Sequence, residues 1–308
     1  MSSLLWTTDR LVEHVFPSAF IIDPFFPRGG IAMLHGKRGI GKTHFALTLA
    51  TCMSEGAVLW GRYRTKKCRV VYVQADMGPW IQQQRLRRAR HLFTLDGIQW
   101  LFPDFMNLPE WTRDTPEVKE IRAFEPEFII WDTLRQIQQL DMNSDETPAW
   151  VYGKARSLFP GIAHLFIHHD KKTIADEDKL SPEESFRGSG AWIDNADVGL
   201  KVREIVRGKL ALDFTKVRTC EEQPSLTLSL DKESLLLYGT GEQLAELREK
   251  YKYKHPNASL QQIEHYLLSC FVASPRAVHG SLFPEEMGID PGVTLGLETQ
   301  TPPHTLST

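Results

Sequence analysis

The sequence predicts an α/β fold with a mainly parallel sheet, flanked by helices and extended by antiparallel strands at its edge. Short apolar, β-branched runs alternate with helical patterns between residues 30 and 202. A glycine-rich stretch, "HGKRGIGKTH" at residues 35–44, stands where the first of these strands gives way to a helix. After residue 197 the pattern changes to paired runs that turn back on themselves. Alternation of strands and helices is typical of a parallel sheet that is covered on both faces.

The predicted elements follow from these runs in chain order. Strands are predicted at residues 30–36, 69–75, 98–102, 127–132, 163–169 and 197–202. Helices are predicted between them, at residues 42–54, 79–93, 115–123 and 146–158. Two hairpins follow, one turning at Arg207-Gly208 and one near Asp231-Lys232, and they supply the antiparallel strands.

The chain is predicted to divide into three parts. Residues 1–239 form the α/β domain, residues 240–288 a small helical region, and residues 289–308 a disordered tail rich in Pro and Thr. In the helical region Ser259 is predicted to cap one helix and Ser274-Pro275 to open another, as in a helix-turn-helix. A helical lid or a partner-docking module explains the same pattern.

Composition excludes several classes of protein. Apolar residues make up 42% and charged residues 24% of the chain, and the net charge is -3. These values fit a globular protein with a core and do not by themselves indicate nucleic acid, although a local basic groove could still bind DNA. The four cysteines form no CxxC pair, which argues against disulfide or zinc frameworks, and no apolar run is long enough for a membrane span. We therefore expect a cytoplasmic protein.

The glycine-rich stretch matches the phosphate-loop pattern G-x-x-x-x-G-K-[ST] at Gly36, Gly41, Lys42 and Thr43. Glycines let the backbone curl so that its N–H groups point at an anion, and the following helix adds its positive end. The lysine neutralises the β/γ oxygens of a triphosphate. A chance glycine turn is the alternative, but the match lies between a strand and a helix, where the mechanism requires it. The predicted ATP-binding residues are Gly36, Lys37, Arg38, Gly39, Ile40, Gly41, Lys42, Thr43 and His44.

A magnesium site is predicted at Thr43 and Asp132. The threonine hydroxyl of a phosphate loop can ligate Mg²⁺, and an aspartate that ends a downstream apolar strand can hold the ion through water. Asp132 ends the run "EFIIWD". Alone, such an aspartate could equally cap a helix, but the phosphate loop favours the metal role.

Four further stretches accompany the phosphate loop in a fixed order: "VVYVQADM", "LFIHHDKK", "FRGSGAWIDNADVGLKV" and "LALDFTKVR". In this order the chain resembles the RecA-like ATPases, most closely the RepA-like replicative helicases of plasmids, phages and other mobile elements. The resemblance covers roughly residues 16 to 238. It implies a RecA-like P-loop NTPase core, ATP and Mg²⁺ as cofactors, and single-stranded DNA as a partner. It also implies a ring-shaped homo-oligomer, with a hexamer as one form.

The resemblance gives roles to three residues near the phosphates. Asp76 takes the place of the family's glutamate that activates the attacking water, and it is one methylene shorter. A solvated turn aspartate is the alternative reading of Asp76. His168 and His169 occupy the position of the family's γ-phosphate sensor. Adjacent residues on a strand face opposite ways, so at most one of the two histidines can point at the nucleotide.

The resemblance also places an arginine finger late in the core. Lys216 and Arg218 are spaced by two on a strand and share a face, and in ring-forming relatives such residues reach the γ-phosphate of the neighbouring subunit. A protective basic strand edge is the alternative. Arg207, at the predicted hairpin tip, is a second finger candidate.

Two basic stretches are candidates for contact with DNA. Residues 170–190 form a long polar loop that faces the ring channel in the family, and its cations are Lys171, Lys172, Lys179 and Arg187. A solvated loop is the alternative. The set "RLRRARH" at residues 85–91 is better explained as the solvent face of a helix.

The leading hypothesis is an ATP-hydrolysing RecA-fold motor that acts on DNA, a RepA-like helicase of a mobile element. The alternative is a nucleotide-switched DNA-binding regulator or loader with weak ATPase activity. A small-molecule kinase is disfavoured, because an arginine-rich lid is absent from the sequence.

Overall fold

A nine-stranded sheet forms the centre of the computed structural model, which describes residues 7–14, 19–103, 106–170, 190–273 and 275–283. The strands in the described ranges belong either to this sheet or to a second, smaller sheet formed by β1, β2, β4 and β5. In chain order they are β1 (Phe20–Asp23), β2 (Phe26–Pro27), β3 (Ile31–His35), β4 (Val58–Leu59), β5 (Tyr63–Thr65), β6 (Val70–Gln74), β7 (Ile98–Leu101), β8 (Phe128–Asp132), β9 (Ala163–Ile167), β10 (Val198–Val206), β11 (Lys209–Val217), β12 (Leu226–Leu230) and β13 (Leu237–Tyr238).

Helices cover both faces of this sheet. They are α1 (Thr8–Glu13), α2 (Lys42–Glu55), α3 (Pro79–Ala89), α4 (Pro116–Phe124), α5 (Thr147–Leu158), α6 (Ala191–Asp194), α7 (Leu244–Lys254), α8 (Leu260–Ser269) and α9 (Pro275–Leu282). Short 3₁₀ turns lie at Leu108–Glu110 and Leu134–Gln136. None of the helices in these described ranges is both long and apolar enough to span a membrane.

The strand order in the large sheet is β13-β12-β11-β10-β3-β9-β8-β6-β7. The six strands from β10 to β7 pair in parallel, and β10 to β13 pair antiparallel. The predicted fold class, a mainly parallel sheet with added antiparallel edge strands, is therefore confirmed. The first predicted hairpin is also confirmed, because Val206 pairs with Lys209 across Arg207-Gly208.

Side chains of the central strands alternate between two apolar layers. On β8, Phe128 and Ile130 belong to the layer that contains α2, whereas Ile129 and Trp131 belong to the layer that contains α5. Successive residues of a strand point to opposite faces, so a strand buried on both faces must be apolar throughout. This is why the runs at 127–132 and 163–169 show no polar alternation in the sequence.

The structure differs from the sequence prediction in three elements. A second sheet, ordered β2-β1-β5-β4, was not predicted, because strands of two to four residues carry too little periodicity. The strand predicted at 163–169 ends at Ile167, so both histidines follow it rather than lie on it. The helix predicted at 79–93 ends at Ala89.

The C-terminal helices form their own apolar cluster but also contribute to the main core. Ser259 caps α8 through a capping box, as predicted. Phe271 is fully buried and stacks on Phe93 and Tyr238, with ring centroids 4.9 and 5.4 Å apart. Gly61 N–H donates to the Cys270 carbonyl at 2.7 Å, which ties the same segment to the small sheet. The domain boundary at residue 239 stays a prediction, and the segment 289–308 lies outside the described residues.

Replacing Phe271 by alanine should destabilise the whole domain. The substitution leaves a cavity between two aromatic rings, so the free energy of unfolding should fall by about 3–5 kcal/mol. Urea denaturation measures this change. Tyr253, which is 90% exposed on α7, provides the control, and its alanine variant should lose less than about 0.5 kcal/mol. Equal stability of the two variants would show that the C-terminal segment is not part of the core.

Candidate functional site

The carboxyl ends of four parallel strands lie at one level of the sheet. Gln74 on β6 pairs with Asp132 on β8, Asp132 pairs with Ile167 on β9, and Ile167 pairs with Leu34 on β3. The glycine-rich loop follows β3 directly. In open α/β sheets ligands bind at this edge, beyond the carboxyl ends of the strands.

The loop before α2 has a conformation that only glycine tolerates. Gly39 and Gly41 have φ angles of 80° and 103°, in the left-handed region. A Cβ at Gly36 would lie 2.4 Å from the Val202 carbonyl oxygen of β10. Gly41 is the N-cap of α2, so the positive end of a 14-residue helix opens into the loop. The loop can therefore present backbone N–H groups to an anion.

The side chain of Lys42 folds back against the loop. Its Nζ donates to the carbonyl oxygens of Gly36 and Lys37, both at 2.7 Å. Burial lowers the pKa of Lys42 to about 8, although the negative charges of Asp170 and Asp132 oppose this shift. A desolvated ammonium held only by carbonyl oxygens is well prepared to exchange them for phosphate oxygens.

Thr43 and Asp132 meet beside the loop, as the predicted magnesium site requires. The Thr43 side chain lies close enough to the Asp132 carboxylate to lower its pKa, and the Tyr72 hydroxyl donates to Asp132 Oδ2 at 2.8 Å. Burial raises the pKa of Asp132, and these contacts oppose that shift. A hydroxyl and a carboxylate are the hard oxygen ligands that Mg²⁺ takes together with substrate phosphates, so the residues fit the ion. No group of three or more His, Cys, Asp or Glu suited to a metal occurs in the described ranges.

Asp76 lies in the same electrostatic environment. It follows β6, it is exposed, and its charge acts on Lys42, Asp132 and His169. Its backbone N–H donates to the Gln74 Oε1 at 3.1 Å. Its catalytic role stays a prediction, and its location is compatible with it.

The two predicted sensor histidines lie in different environments. His168 is buried, and its backbone N–H donates to the Leu34 carbonyl. His169 is half-buried among the charges of the site. Its pKa is lowered by burial and by Lys42, while Asp76 opposes the shift. His169 therefore lies within electrostatic reach of Lys42 and Asp76, and the sensor role of the pair stays a prediction.

A buried pair behind the loop was not found from the sequence. His35 Nδ1 and Asp170 Oδ1 are 2.8 Å apart, and the Asp170 N–H donates to the Gly36 carbonyl at 3.1 Å. The only sign of this pair in the sequence was a polar residue at or just after the end of each of two apolar strands. Nothing in their spacing of 135 residues predicted that they meet.

His44 was predicted to bind the nucleotide, but its side chain is directed elsewhere. Its Nδ1 lies 3.0 Å from the Leu235 carbonyl oxygen, in the turn between β12 and β13. Burial lowers the pKa of His44 to about 4, so the ring is neutral at physiological pH. Only the backbone of His44 remains available to the loop.

Lys216 and Arg218 do not lie at the carboxyl ends of the parallel strands, where the phosphate loop is. Lys216 pairs with Gly199, near the start of β10 and level with the middle of β3, whereas the phosphate loop follows the end of β3. Both side chains reach the C-terminal end of α6. The Lys216 Nζ donates to the Asp194 carbonyl at 2.5 Å, and the Arg218 Nη2 donates to it at 2.8 Å. The structure does not bring these two residues together with the phosphate loop of the same chain.

The remaining candidates are spread over the surface or lie outside the described residues. Arg207 is exposed at the tip of the β10–β11 hairpin. The predicted DNA-contacting cations between 171 and 189 lie outside the described residues, namely Lys171, Lys172, Lys179 and Arg187.

Comparisons with known proteins were made for the sequence and for the fold. The model of a family described as "AAA domain" matches residues 3–175. The solved ATPase domain of a phage protein superposes with a TM-score of 0.52 at 15% identity, covering 68% of this chain and 84% of that chain. A DnaB-like replicative helicase, solved in a study of its interactions with primase, gives a TM-score of 0.54 at 15% identity over 72% and 61% of the two chains. At this identity the structural likeness shows the fold, which is RecA-like. No curated protein sequence matches.

Raising the pH above about 8 should weaken ATP binding. The protonated form of Lys42 binds phosphate, and its pKa in the nucleotide-free protein is about 8. Affinity should therefore be highest below that value and fall by up to roughly tenfold per pH unit above it. Calorimetric titration with ATP in EDTA, between about pH 7 and pH 9.5, measures this dependence.

The control for this titration is Lys42→Arg, whose guanidinium stays protonated throughout the range. The affinity of this variant for ATP, whatever its value, should not change with pH. A wild-type affinity that is equally flat would contradict a phosphate contact through Lys42.

Proposed function

The chain belongs to the family described as the AAA domain, a family of RecA-like P-loop ATPases, and from this we propose an ATP-driven motor that acts on DNA. More specifically, we propose a RepA-like helicase of a mobile element that works as a ring-shaped homo-oligomer, with a hexamer as one form. ATP and Mg²⁺ are its proposed cofactors, and single-stranded DNA is its proposed partner.

The observation that carries this proposal is the meeting of Lys42, Thr43 and Asp132 at the carboxyl ends of β3 and β8. A buried lysine, a helix N-terminus and a hydroxyl–carboxylate pair are the parts that a triphosphate and its magnesium ion require. Asp76 adds a carboxylate whose charge acts on both Lys42 and Asp132.

In the proposed reaction, water attacks the γ-phosphorus and the bond to the β–γ bridging oxygen breaks. The loop backbone and Lys42 bind the phosphate oxygens. Asp76 orients the water and accepts its proton, and His169 contacts the γ-phosphate. Thr43 and Asp132 would hold Mg²⁺, which neutralises charge on the β- and γ-oxygens when it is bound.

We propose that Lys216 and Arg218 complete the site of a neighbouring subunit. Their location supports this role, because Lys216 is level with the middle of β3 and Arg218 with its start, whereas the phosphate loop of their own chain follows its end. The side chain of Arg218 is half exposed, so a neighbour could recruit it from the carbonyl and carboxylate that it now contacts. A guanidinium supplied in trans would stabilise the charge of the transition state.

DNA as the partner is supported by one of the similar structures, which is that of a DnaB-like replicative helicase. The alternative function, a nucleotide-switched DNA-binding regulator or loader, is favoured by one feature, the short acid at position 76. Slow turnover would follow if a carboxylate one methylene shorter than glutamate reaches the water poorly.

The central test measures ATP turnover with and without single-stranded DNA, beside strand separation and oligomer mass. The motor proposal expects DNA-stimulated turnover and unwinding, whereas site-specific duplex binding without unwinding would support the regulator. Asp76→Asn should lower turnover by about 10²-fold or more with little change in ATP affinity, because it removes the proton acceptor. Asp76→Glu should keep or raise activity. Equal turnover in wild type and Asp76→Asn would remove this residue from the catalytic set.

A mixing experiment tests the contribution of Arg218 in trans. Arg218→Ala should reduce hydrolysis by about 10³-fold or more while each subunit still binds ATP. Mixed oligomers of Arg218→Ala and Lys42→Ala should recover partial activity, because some interfaces pair an intact loop with an intact finger. Absence of rescue in verified mixed oligomers would refute the trans role.

The matched control is Arg156→Ala. Arg156 also contacts the Asp197 carboxylate, at 3.0 Å, and its side chain is 46% exposed against 50% for Arg218. Its loss should leave turnover near the wild-type value. A similar collapse of activity in both variants would assign the effect to the Asp197 ion pairs instead.

A further inference from the structure

The side chain of Gln74 connects the Asp132 carboxylate to the turn that carries Asp76. Its Nε2 donates to Asp132 Oδ2 at 3.3 Å. Its Oε1 accepts from the backbone N–H groups of Asp76 and Met77, at 3.1 and 3.2 Å. Gln74 is 1% exposed, so water does not compete for these bonds.

We propose that Gln74 is a positioning residue for hydrolysis, which fixes the carboxylate of Asp76 relative to Asp132. The inference rests on the proposed ATPase function and adds a residue to its machinery. Gln74 does not touch the reacting atoms; it acts through the two aspartates.

An amide is the side chain that this position requires. One end must donate to a carboxylate while the other accepts from two N–H groups, and only an amide of this length does both. Gln74 and Asp132 are cross-strand partners at the ends of β6 and β8, so their side chains lie on the same face of the sheet. The contact is therefore set by the register of two buried strands rather than by a loop.

The surroundings keep this contact in place. Tyr72 is fully buried, donates to the same oxygen of Asp132, and stacks on Trp100 with ring centroids 4.5 Å apart. A buried carboxylate that loses a donor has no solvent to replace it. Asp132 and Gln74 thus hold one another in a single arrangement.

This arrangement bears on the short acid at position 76. Two N–H bonds to one oxygen fix the direction in which the turn leaves β6, before α3 begins at Pro79. A displacement of about 1 Å can cost on the order of 10²-fold in rate, and aspartate has less reach than glutamate to compensate for it. The hydrogen bonds from the turn to Gln74 therefore fix the position of the shorter Asp76 carboxylate relative to the attacking water.

Two near-isosteric variants test the proposal in the full-length protein. Gln74→Met removes both the donor and the acceptor, so kcat should fall by roughly 10²-fold, whereas ATP affinity measured in EDTA should stay near the wild-type value. A loss of ATP affinity in EDTA equal to the loss in kcat would indicate general damage to the site and overturn the proposal. Thermal unfolding monitors whether the variant is folded.

Gln74→Glu separates the two ends of the side chain. The introduced carboxylate keeps an acceptor for the N–H groups of Asp76 and Met77, but it no longer donates to Asp132. The kcat of this variant should therefore fall by roughly tenfold or more, while hydrogen exchange at these two amides stays near the wild-type rate. A kcat equal to that of wild type would overturn the proposal.

Gln82→Met is the matched control. Gln82 is also a fully buried glutamine, on α3, and neither atom of its amide has a hydrogen-bond partner among the described residues. Its replacement by methionine should leave kcat within about threefold of wild type, since no hydrogen bond is broken. A loss of kcat as large as that of Gln74→Met would show that any buried glutamine change near α3 has this effect, and would overturn the proposal.

Hydrogen exchange separates a failure of this inference from a failure of the proposed function. In Gln74→Met the amides of Asp76 and Met77 should exchange at least about tenfold faster than in wild type, because their acceptor is gone. This measurement does not need turnover. A wild type without ATPase activity would refute the proposed function, while unchanged exchange at these two amides would refute the inference about Gln74.

Discussion

The in-register pairing of β6, β8, β9 and β3 is the constraint on which the rest of the site depends. Gln74, Asp132, Ile167 and Leu34 stand side by side across four strands, so whatever follows each strand emerges at one edge. A slip of one residue would turn Asp132 to the other face of the sheet. The apolar layers on both faces exclude that slip, because each strand residue is matched to one of them. The same strand register therefore determines both the packing of the core and the geometry of the site.

The site contains some groups that favour a bound anion and others that favour a bound cation. Lys42 is buried next to the charges of Asp170, Asp132 and Asp76, and it rests on backbone carbonyls. The helix N-terminus and the lysine favour a phosphate, whereas the carboxylates favour a cation. Burial shifts the pKa of Lys42 down and that of Asp132 up. Burial therefore destabilises the charged form of each group, and a bound ligand of opposite charge would offset this desolvation cost.

The region near the amino end of β3 has a different organisation. There Asp197 accepts from the Ile31 N–H at 2.8 Å and forms ion pairs with Arg156 and Arg218. Lys216 and Arg218 both contact the last carbonyls of α6. The phosphate loop follows the carboxyl end of β3, whereas these contacts lie towards its amino end. This polarity is the physical basis for proposing a shared site between subunits.

Local sequence determined the features that depend on neighbouring residues. The phosphate loop, the parallel strands and the β10–β11 hairpin follow from contiguous patterns, because glycine placement and apolar runs act over a few residues. Tertiary structure alone decided which partners meet across long separations: His35 with Asp170, and Gln74 with Asp132. It also decided that His169 lies among the site charges. These contacts depend on the strand order β3-β9-β8-β6, which no local pattern encodes, since it is fixed only when the helices cover both faces of the sheet.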